Sequence, residues 1–562
     1  MFLKKLSAIL LLSVLTGISS LAATRSSKSE LNRSLDIFNA MVRELQLNYV
    51  DTIDIKKSVN TAMLYMLDEI DPYTEYYPAD EREQFNMLST GEYAGIGCLL
   101  GVTDSTIFFS EPYLGTPSQL AGVKAGDVIL TIDGDTLTRD WDTQRASSAL
   151  RGAAGTKVSV TVRRPFAAAD GSDSIIAIDM ERAKIKNSTV SWYGVTGPDK
   201  RTGYISLSSF TDKAPAEVTE ALEDLINNHG ITALVLDLQG NPGGLLESAV
   251  QIAGLFVPKG TEIVRTRGRG TLSEKVYKTT RKPLAPDMPL AVLIDEGSAS
   301  SSEIVAGALQ DLDRAVIVGY RSYGKGLVQS SRTLPYDGVL KLTVAKYYIP
   351  SGRLIQAIDY SHRNADGSVA RTPDSLTTAY NTLHGRVVRD GGGITPDVKI
   401  DRRRISHLIY NLHQANIPFD FATAYASTHP SIAPAGEFHM TDSIFSDFKK
   451  FVASRDFHHE SASDKMLKSL REAAETEGYL TDEVSARFAE LDSLLNHDTA
   501  RDLEINRKDV DMMLSDAIIR RYYYQGGATE NSLRFNDALI EAVEVLSDPD
   551  RYRSTLNLPA KR

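Results

Sequence analysis

A serine-rich turn and a lysine flanked by two glycines contain the residue types that could carry out nucleophilic chemistry. The turn is Asp295–Glu303, which follows the apolar run Leu290–Ile294 and leads into apolar residues at helical spacing. A serine at such a strand-to-helix corner lies beside the unpaired N–H groups of the helix, where an oxyanion could be held. A second apolar run, Ala315–Val318, precedes Gly324-Lys325-Gly326. This combination predicts a Ser-Lys hydrolase.

The chemistry sets conditions on the surroundings of the lysine. A serine hydroxyl is a weak nucleophile until a neighbouring base takes its proton. Lysine can do so only as the neutral amine, a form that burial among apolar residues favours. Val316–Val318 and Leu327-Val328 provide such residues on both sides of Lys325. Gln329 can accept one amine hydrogen without adding the negative charge that would keep the lysine protonated.

These residues and their spacing resemble the C-terminal processing peptidases, or tail-specific proteases. In that family the nucleophile is the second serine of a Ser-Ala-Ser-x-Ser-Glu run, which is Ser300 here. The resemblance implies that Lys325, 25 residues later, is the general base. It also implies that Gln329 orients the lysine.

Other interpretations of the same residues remain open at this point. Ser300 with Glu303 is also a capping box, which alone would be structural. The segment Gly319–Gly326 imitates a phosphate-binding loop, but Gly326 stands where a magnesium-binding Ser or Thr is required. A Ser-His-Asp triad is defined by geometry and cannot be excluded by residue order, although none of the histidines has a setting typical of catalysis.

A glycine-rich turn, Gly240–Gly244, follows the apolar strand Leu234–Leu238 and leads into another helix, as in a βα unit. By resemblance, the oxyanion is held by the N–H group of Ser301 together with that of Gly243 or Gly244. Many relatives have arginine at the position of Gln239, so an ion pair there is not expected in this chain. The alternative is a tight turn that needs positive φ.

Length, composition and charge narrow the class of protein. The chain has 562 residues, 42% of them hydrophobic and 24% charged, which indicates several ordinary globular domains. A net charge of −11 argues against a nucleic-acid partner. Cys98 is the only cysteine, so no disulfide can form within the chain. No metal or cofactor is implied.

The N-terminus resembles a signal peptide. Two lysines precede an apolar stretch and small residues, which predicts a signal peptide over residues 1–23 and export to the periplasm. The competing interpretation is an uncleaved N-terminal segment that anchors the protein to the inner membrane.

We therefore predict a multidomain α/β protein. Gly115–Val123, Ala125–Ile129 and Ile132–Gly134 resemble the turn-and-strand signature of a PDZ domain. The expected parts are an N-terminal helical segment, a PDZ domain in the form of a partly open β-barrel with helices, an α/β Ser-Lys peptidase core with a polar insert, and a C-terminal helical domain. In that order their expected ranges are residues 30–84, 85–183, 184–400 with the insert at 359–390, and 405–562.

The PDZ resemblance implies a peptide-binding groove. Such a groove adds an extended peptide to an open sheet edge and holds its C-terminal carboxylate on backbone N–H groups. The segment Gly95–Leu100 matches the carboxylate-binding loop and strand, and a helix over Asp142–Leu150 would form the wall. The predicted peptide-binding residues are Gly95, Ile96, Gly97, Cys98, Leu99, Ala146 and Leu150. A strand-rich domain that binds no peptide is the alternative.

Together these features predict an exported serine endopeptidase that recognises the free C-termini of protein substrates and cleaves their tails. In the family the N-terminal helices often serve assembly, so a homo-oligomer is expected, with a dimer as the first hypothesis, and an adaptor protein is left open as a partner. The alternatives are a catalytically silent PDZ-bearing scaffold and a Ser-His esterase.

Overall fold

The computed structural model describes residues 29–103, 106–168, 171–186, 188–270, 273–364, 368–403, 405–455, 457, 462–495 and 498–559. The predicted signal peptide lies outside this part of the chain. The chain divides into two compact units: residues up to Arg82 with Gln329–Thr343, and Glu83–Val328 with Val344–Arg562. Within the described ranges, no helix combines the length and apolar character needed to cross a bilayer.

The first unit begins with the predicted N-terminal helices. Helix α1 covers residues 29–48 and α2 covers Ile55–Asp68, where the Asp54 carboxylate accepts a hydrogen bond from the Lys57 N–H group. Strand β1, Glu75–Tyr77, follows, and then the 3-10 turn Ala79–Glu81. β1 is antiparallel to residues 339–341 of a later hairpin, which completes this unit.

The second unit begins with a PDZ-like domain of strands and short helices. Its main sheet has the order β3-β4-β5-β7-β8, with β6 on β5, while β2 pairs with β9. The elements are α3 (Arg82–Thr90), β2 (Glu92–Gly95), β3 (Cys98–Thr103), β4 (Thr106–Pro112), α4 (Pro117–Leu120), β5 (Val128–Ile132), β6 (Asp135–Thr136), α5 (Thr143–Leu150), β7 (Lys157–Arg164), β8 (Ser174–Glu181) and β9 (Ala183–Lys186).

Alternating side chains build the interior of this domain. In β7, Val158, Val160 and Val162 point inward while their neighbours are more exposed, which is the period of a half-buried strand. They pack with Phe109 and with α5. β3 is the last strand in the sheet order, so its outer edge can receive another strand. Helix α5 lies beside β3.

The region predicted to be the peptidase core contains a six-stranded sheet of order β10-β11-β12-β15-β16-β23, parallel except for β10. Its first elements are β10 (Val190–Thr196), β11 (Thr202–Leu207), α6 (Ala214–Asn227), β12 (Ala233–Asp237), α7 (Leu246–Ala253), β13 (Glu262–Gly268), β14 (Glu274–Lys278), β15 (Leu290–Ile294), α8 (Ser301–Asp311) and β16 (Val316–Gly319).

The sheet topology brings the two predicted catalytic loops together. β12 and β15 are fully buried, parallel and adjacent, with Asp237 opposite Leu293. Their carboxyl ends therefore meet at one edge of the sheet, where open α/β folds form their sites. The glycine-rich turn follows β12 and the serine turn follows β15.

The core continues with β17 (Leu327–Thr333), β18 (Val339–Tyr348), β19 (Ile358–Arg363), β20 (Val369–Arg371), β21 (Ala379–Asn381), β22 (Val387–Arg389) and β23 (Val398–Lys399), with 3-10 turns at Pro335–Asp337 and Asp374–Leu376. In the second unit the end of β18 pairs with β13, which also pairs with β14. The β19–β20 and β21–β22 hairpins form most of the insert.

The polar insert is anchored to the core on one side. Many of its residues are exposed, yet the Arg386 guanidinium is largely buried and pairs with Asp313 and Asp397. The N–H group of Leu383 also donates to the Asp311 carbonyl at 2.8 Å. The insert is therefore held to the end of α8.

The remaining described elements are helical. They are α9 (His407–Gln414), α10 (Ile417–Thr428), α11 (Asp442–Ala453), α12 (Ala462–Thr476), α13 (Asp482–Leu495), α14 (Thr499–Ile505), α15 (Arg507–Ser532, interrupted at Tyr524), the 3-10 turn Leu533–Phe535, α16 (Asp537–Ser547) and α17 (Pro549–Thr555). Side chains from α9, α10, α11, α14 and α15 form one apolar core.

The two faces of the core sheet are covered by helices that lie far apart in the chain. α6, α7 and α8 pack on one face. α16 and α17 pack on the other, where Leu539, Val545 and Leu556 contact buried strand residues. Helices α16 and α17 therefore complete the packing of the core sheet. The earlier helices form a separate apolar cluster.

Candidate active site

The turn after β15 is held in place by the Asp295 carboxylate. Its Oδ1 atom accepts hydrogen bonds from the N–H groups of Gly240 at 2.8 Å, Gly297 at 2.9 Å and Ser298 at 3.1 Å. These bonds join the serine turn to the glycine-rich turn that follows β12. The two loops are thus aligned by contacts other than those of the sheet.

Ser300 differs from the other serines of this turn. Ser298, Ser301 and Ser302 are buried, and their hydroxyls donate to the carbonyls of Leu238, Gly244 and Asn241 at 2.7–2.9 Å. Ser300 is partly exposed and has φ 55° and ψ −112° at the start of α8. A non-glycine residue in that region is strained, and such strain clusters at functional sites.

Asn241 organises the glycine-rich turn. Its side-chain amide donates to the Leu207 carbonyl at 2.7 Å and accepts from the Gly243 N–H group at 2.9 Å. Its own carbonyl accepts from the Ala299 N–H group at 3.0 Å. Asn241 is fully buried, so this turn is fixed against both β11 and the serine turn.

Gly243 approaches the serine turn so closely that no side chain fits. A Cβ atom at this position would lie 2.8 Å from Ser300 Cβ and 2.9 Å from Ser301 N, and φ is +102°. At Gly244 a Cβ atom would lie 2.3 Å from the Phe210 carbonyl oxygen. Glycine is therefore required at both positions for close approach as well as for conformation.

The three N–H groups considered for the oxyanion are not equivalent. That of Gly243 already donates to Asn241 Oδ1. Within the described part of the chain, neither the Ser301 nor the Gly244 N–H group makes a hydrogen bond. These two amides can therefore serve a ligand without breaking an internal bond.

A single buried carboxylate joins the serine turn to the loop that carries Lys325. Glu303 Oε2 accepts from the N–H groups of Ser300 and Lys325, each at 2.9 Å. Glu303 Oε1 accepts from Ser322 Oγ at 2.5 Å and from the Gly324 N–H group at 2.7 Å. Burial raises the pKa of the Glu303 carboxyl to about 7, while the four donors favour the carboxylate.

Tyr347 contacts the same two residues through their carbonyls. Its hydroxyl lies 3.1 Å from the Ser300 carbonyl oxygen and 2.5 Å from that of Lys325. Its N–H group donates to the Gly326 carbonyl at 3.0 Å. The Tyr347 side chain is almost completely buried.

The insert supports the far side of the lysine loop. Arg371 donates to the Tyr323 carbonyl at 2.6 Å, and Arg321 pairs with Asp374 at 2.9 Å. Next to the insert, Gln356 Oε1 accepts from the Gly326 N–H group at 2.6 Å. The loop is therefore held from both ends.

Gln329 belongs to the first unit, whereas Ser300 and Lys325 belong to the second. Its side-chain amide donates to Thr343 Oγ1 at 3.2 Å. Gln329 lies in β17, and its role toward Lys325 stays a prediction from its spacing.

The histidines considered for a triad contact carboxylates elsewhere. His229 lies near Asp224, His362 near Asp359 and His384 near Asp313. None of these contacts involves the serine turn.

The PDZ domain contains a groove of about 470 Å³. It is lined by β3 and its preceding loop, by α5, and by core residues that include Ser188, Thr189 and Ser208. The cavity thus continues from the PDZ domain to the core. Ile96, Gly97, Cys98 and Leu99 line it, and their role in binding a peptide stays a prediction.

Gly97 fixes the loop in front of β3. Its carbonyl accepts from Ser118 Oγ at 2.7 Å and from the N–H group of Tyr113 at 2.9 Å. Its φ is +74°, and a Cβ atom would lie 2.5 Å from Thr116. The next residue, Cys98, is half-buried, and desolvation raises the pKa of its thiol. Gly95 lies in β2, opposite Ala183.

The prediction that Ala146 faces the ligand is wrong. Ala146 is fully buried in the PDZ core. The α5 residues that line the groove are Thr143, Ser147 and Leu150, which share one helical face at spacings of four and three. Ala146 lies on the inner side of that helix.

Comparison with known proteins agrees with this architecture. Residues 201–362 match peptidase family S41, residues 108–164 match a PDZ domain, and residues 408–546 match the family described as "Probable PDZ-protease, C-terminal helical domain".

The carboxy-terminal-processing protease of Bartonella bacilliformis is 36% identical over 338 residues, covering 60% of this chain and 75% of the relative. The carboxy-terminal processing protease CtpB of Bacillus subtilis is 31% identical, covering 59% and 68%. A solved photosystem II D1 C-terminal processing protease has a TM-score of 0.35 and 25% identity, covering 64% of this chain and 86% of that chain.

The fold and the relatives define a serine-type peptidase that carries a PDZ domain. The chain belongs to peptidase family S41, among the carboxy-terminal processing proteases.

Sequence reasoning did not identify three residues that organise the site: Asn241, Glu303 in its link to the lysine loop, and Tyr347. Glu303 was visible only as part of a capping box. The sequence did contain a signal for Glu303, since it is a charged residue on the inner face of α8. A carboxylate buried in that way needs several hydrogen-bond donors.

Proposed function

We propose that the protein is an exported endopeptidase that cleaves C-terminal tails with Ser300 as nucleophile and Lys325 as general base. One observation carries the proposal: Ser300 is the partly exposed serine of its turn, and its N–H group shares a carboxylate oxygen with that of Lys325. The main chains of nucleophile and base are thereby brought together.

The reaction proceeds in two halves. The neutral Lys325 amine takes the Ser300 hydroxyl proton as Oγ attacks the scissile carbonyl, and the ammonium then gives that proton to the leaving amine. Water attacks the resulting acyl-enzyme with Lys325 again as base, and Ser300 is restored. Gln329 orients the lysine, as its spacing predicts.

The oxyanion of each tetrahedral intermediate is held by two backbone amides. We assign Ser301 and Gly244 to this role, because the Gly243 N–H group is already bonded to Asn241. Gly243 contributes instead by allowing the close approach of the two turns. Donors fixed before the reaction need no reorganisation when the charge develops.

Substrate tails bind the PDZ groove as an added strand on the β3 edge. Backbone N–H groups of Gly95–Leu100 receive the terminal carboxylate, and Leu150 contacts the last side chain. Core residues such as Thr189 and Ser208 also line the groove, so a tail bound there contacts the core. Substrates are therefore proteins or peptides with free C-termini.

Export and assembly complete the proposal. The predicted signal peptide directs the enzyme to the periplasm, with retention as an inner-membrane anchor as the alternative. In the first unit, Leu31, Leu35, Ile37 and Met41 on α1 are each at least half exposed. Apolar exposure of this extent on one helix favours an interface, and we assign it to a second copy of this chain in a dimer.

The test compares Ser300→Ala with Ser302→Ala on an unfolded model tail. Ser300→Ala should abolish hydrolysis and labelling by a fluorophosphonate probe. Ser302→Ala removes a buried hydroxyl that bonds Asn241 and should be destabilised by about 1 kcal/mol while remaining active. Cleavage by Ser300→Ala near the wild-type rate would show that the nucleophile is another residue.

The natural substrates are found by comparing protein C-termini from cells that carry the wild type or Ser300→Ala. Tails that persist only in the variant are substrates. An identical set of C-termini would favour the silent PDZ-bearing scaffold.

A further inference from the structure

The lysine loop has little secondary structure to hold it. Residues 320–326, between β16 and β17, contain no helix or strand, and Gly324 and Gly326 flank the lysine. Main-chain bonds, such as that from the Tyr323 N–H group to the Ser298 carbonyl at 3.1 Å, hold the loop to the serine turn. Side chains that contact both Ser300 and Lys325 can then set the separation of these two residues.

Glu303 makes such contacts on the N–H side. One of its oxygens receives the N–H groups of Ser300 and Lys325, and the other receives donors from Ser322 and Gly324. From the Glu303 side chain, a capping box needs only the bond that it accepts from the Ser300 N–H group. The other three donors lie in the lysine loop, so the carboxylate does more than end a helix.

Tyr347 makes the matching contacts on the carbonyl side. Its hydroxyl lies within hydrogen-bonding distance of the carbonyl oxygens of Ser300 and Lys325. The two catalytic residues are therefore joined through their N–H groups by one side chain and through their carbonyls by another. Both side chains are almost completely buried.

We propose that Glu303 and Tyr347 are positioning residues that set the separation of the Ser300 and Lys325 main chains for proton transfer. This inference rests on the proposed function of those two residues. Both side chains are buried, so we assign neither of them a contact with substrate. Their loss should therefore lower kcat and leave tail binding unchanged, because a misplacement of about 1 Å can reduce a rate about 10²-fold.

Tyr347→Phe tests the carbonyl side with the smallest change, because it removes only the hydroxyl. Its matched control is Tyr204→Phe, which removes another buried hydroxyl of the core, one that donates to Asp237 at 2.5 Å and lies in a different cluster. We expect kcat to fall between about 10- and 10²-fold in Tyr347→Phe. KM and the thermal midpoint should stay close to those of Tyr204→Phe, which keeps the wild-type kcat.

Glu303→Gln tests the N–H side. An amide in place of the carboxylate presents hydrogens to one pair of the four donors. Each pair includes a backbone N–H group, which cannot accept, so at least one of the bonds is lost. The rate of fluorophosphonate labelling should fall, while the affinity for a fluorescent tail peptide, measured by anisotropy, should remain that of the wild type.

The outcomes separate the two levels of the hypothesis. Wild-type kcat in Tyr347→Phe would overturn the positioning role and leave the dyad standing. An equal loss of activity and thermal stability in Tyr347→Phe and Tyr204→Phe would also overturn it, since any buried hydroxyl would then matter as much. Activity in Ser300→Ala or Lys325→Ala would instead refute the proposed function itself.

Discussion

The serine turn and the PDZ groove satisfy their backbone groups in opposite ways. In the serine turn and the glycine-rich turn, side chains such as Asp295, Asn241 and Glu303 bind the main chain before any substrate arrives. The groove is bordered by the terminal strand β3, whose Leu99 is 47% exposed. Internal hydrogen bonds thus hold the groups that are proposed to carry out the reaction. The groove instead leaves backbone groups that a bound peptide can satisfy.

This contrast predicts which kinetic constant each region controls. Changes in the serine turn and lysine loop should act on kcat. Changes in the groove, or in the end of the substrate that enters it, should act on KM.

The largest effect is expected at the base. Lys325→Ala should remove activity, and Lys325→Arg should not restore it because a guanidinium does not deprotonate near neutral pH. The wild-type rate should rise toward alkaline pH with a lysine-like lower limb that no single histidine substitution changes. Steady-state assays from acidic to alkaline pH check this, and activity in Lys325→Arg would point to a different base.

The second largest effect is expected from Gly243→Ala, which tests the close approach of the two turns. In Gly243→Ala the new methyl group would meet Ser300 and Ser301 at less than 3 Å and would displace the oxyanion donors. We expect kcat to fall by about 10²–10³, as for the loss of one donor. Gly240→Ala is the matched control because a Cβ atom there has nothing within 4 Å, although its φ of +66° adds some strain. Equal kcat values for the two variants would contradict the assignment.

A smaller effect is expected from the substrate terminus. Amidating the last residue of a model tail removes its charge and leaves the scissile region unchanged. KM should rise about tenfold, as for the loss of a hydrogen bond to a charged group worth about 1.5 kcal/mol. The kcat value should not change. Equal KM values for the two tails would exclude carboxylate recognition by the groove.

Deleting the PDZ domain, residues 85–183, sharpens the same comparison. We expect lost activity, because delivery of the tail depends on the groove. Raised activity would show that the domain acts as a lid over the cleft.

The smallest effect concerns the pH dependence of stability. Burial raises the pKa of Glu303 to about 7, above its value in the unfolded chain, so the folded state holds a proton that the unfolded state releases. Its contribution to stability is complete below about pH 4 and is lost as the pH rises through 7. Urea midpoints from pH 5 to 7 should fall less steeply in Glu303→Gln than in the wild type. Ser302→Ala, which removes no titrating group, should keep the wild-type slope.

The strands and helices near the site could be predicted from local patterns. The apolar runs before each loop are β12, β15 and β16, and the helical spacing after Ser300 is α8. Ala146 shows where such patterns fail, because helical periodicity identifies faces of α5 but not which face meets the groove. The packing of α16 on the core sheet was also not visible, since it depends on contacts far apart in sequence.

The sequence by itself determined the residue types, their spacing and the family, since Ser300, Lys325 and the glycine turn fall in short, recognisable segments. Only the tertiary structure decided which amides are available, which serines are already bonded, and that Glu303 and Tyr347 join both catalytic loops. The physical reason is that hydrogen bonds and close contacts between distant segments depend on how the strands align. Sequence spacing alone does not specify that alignment.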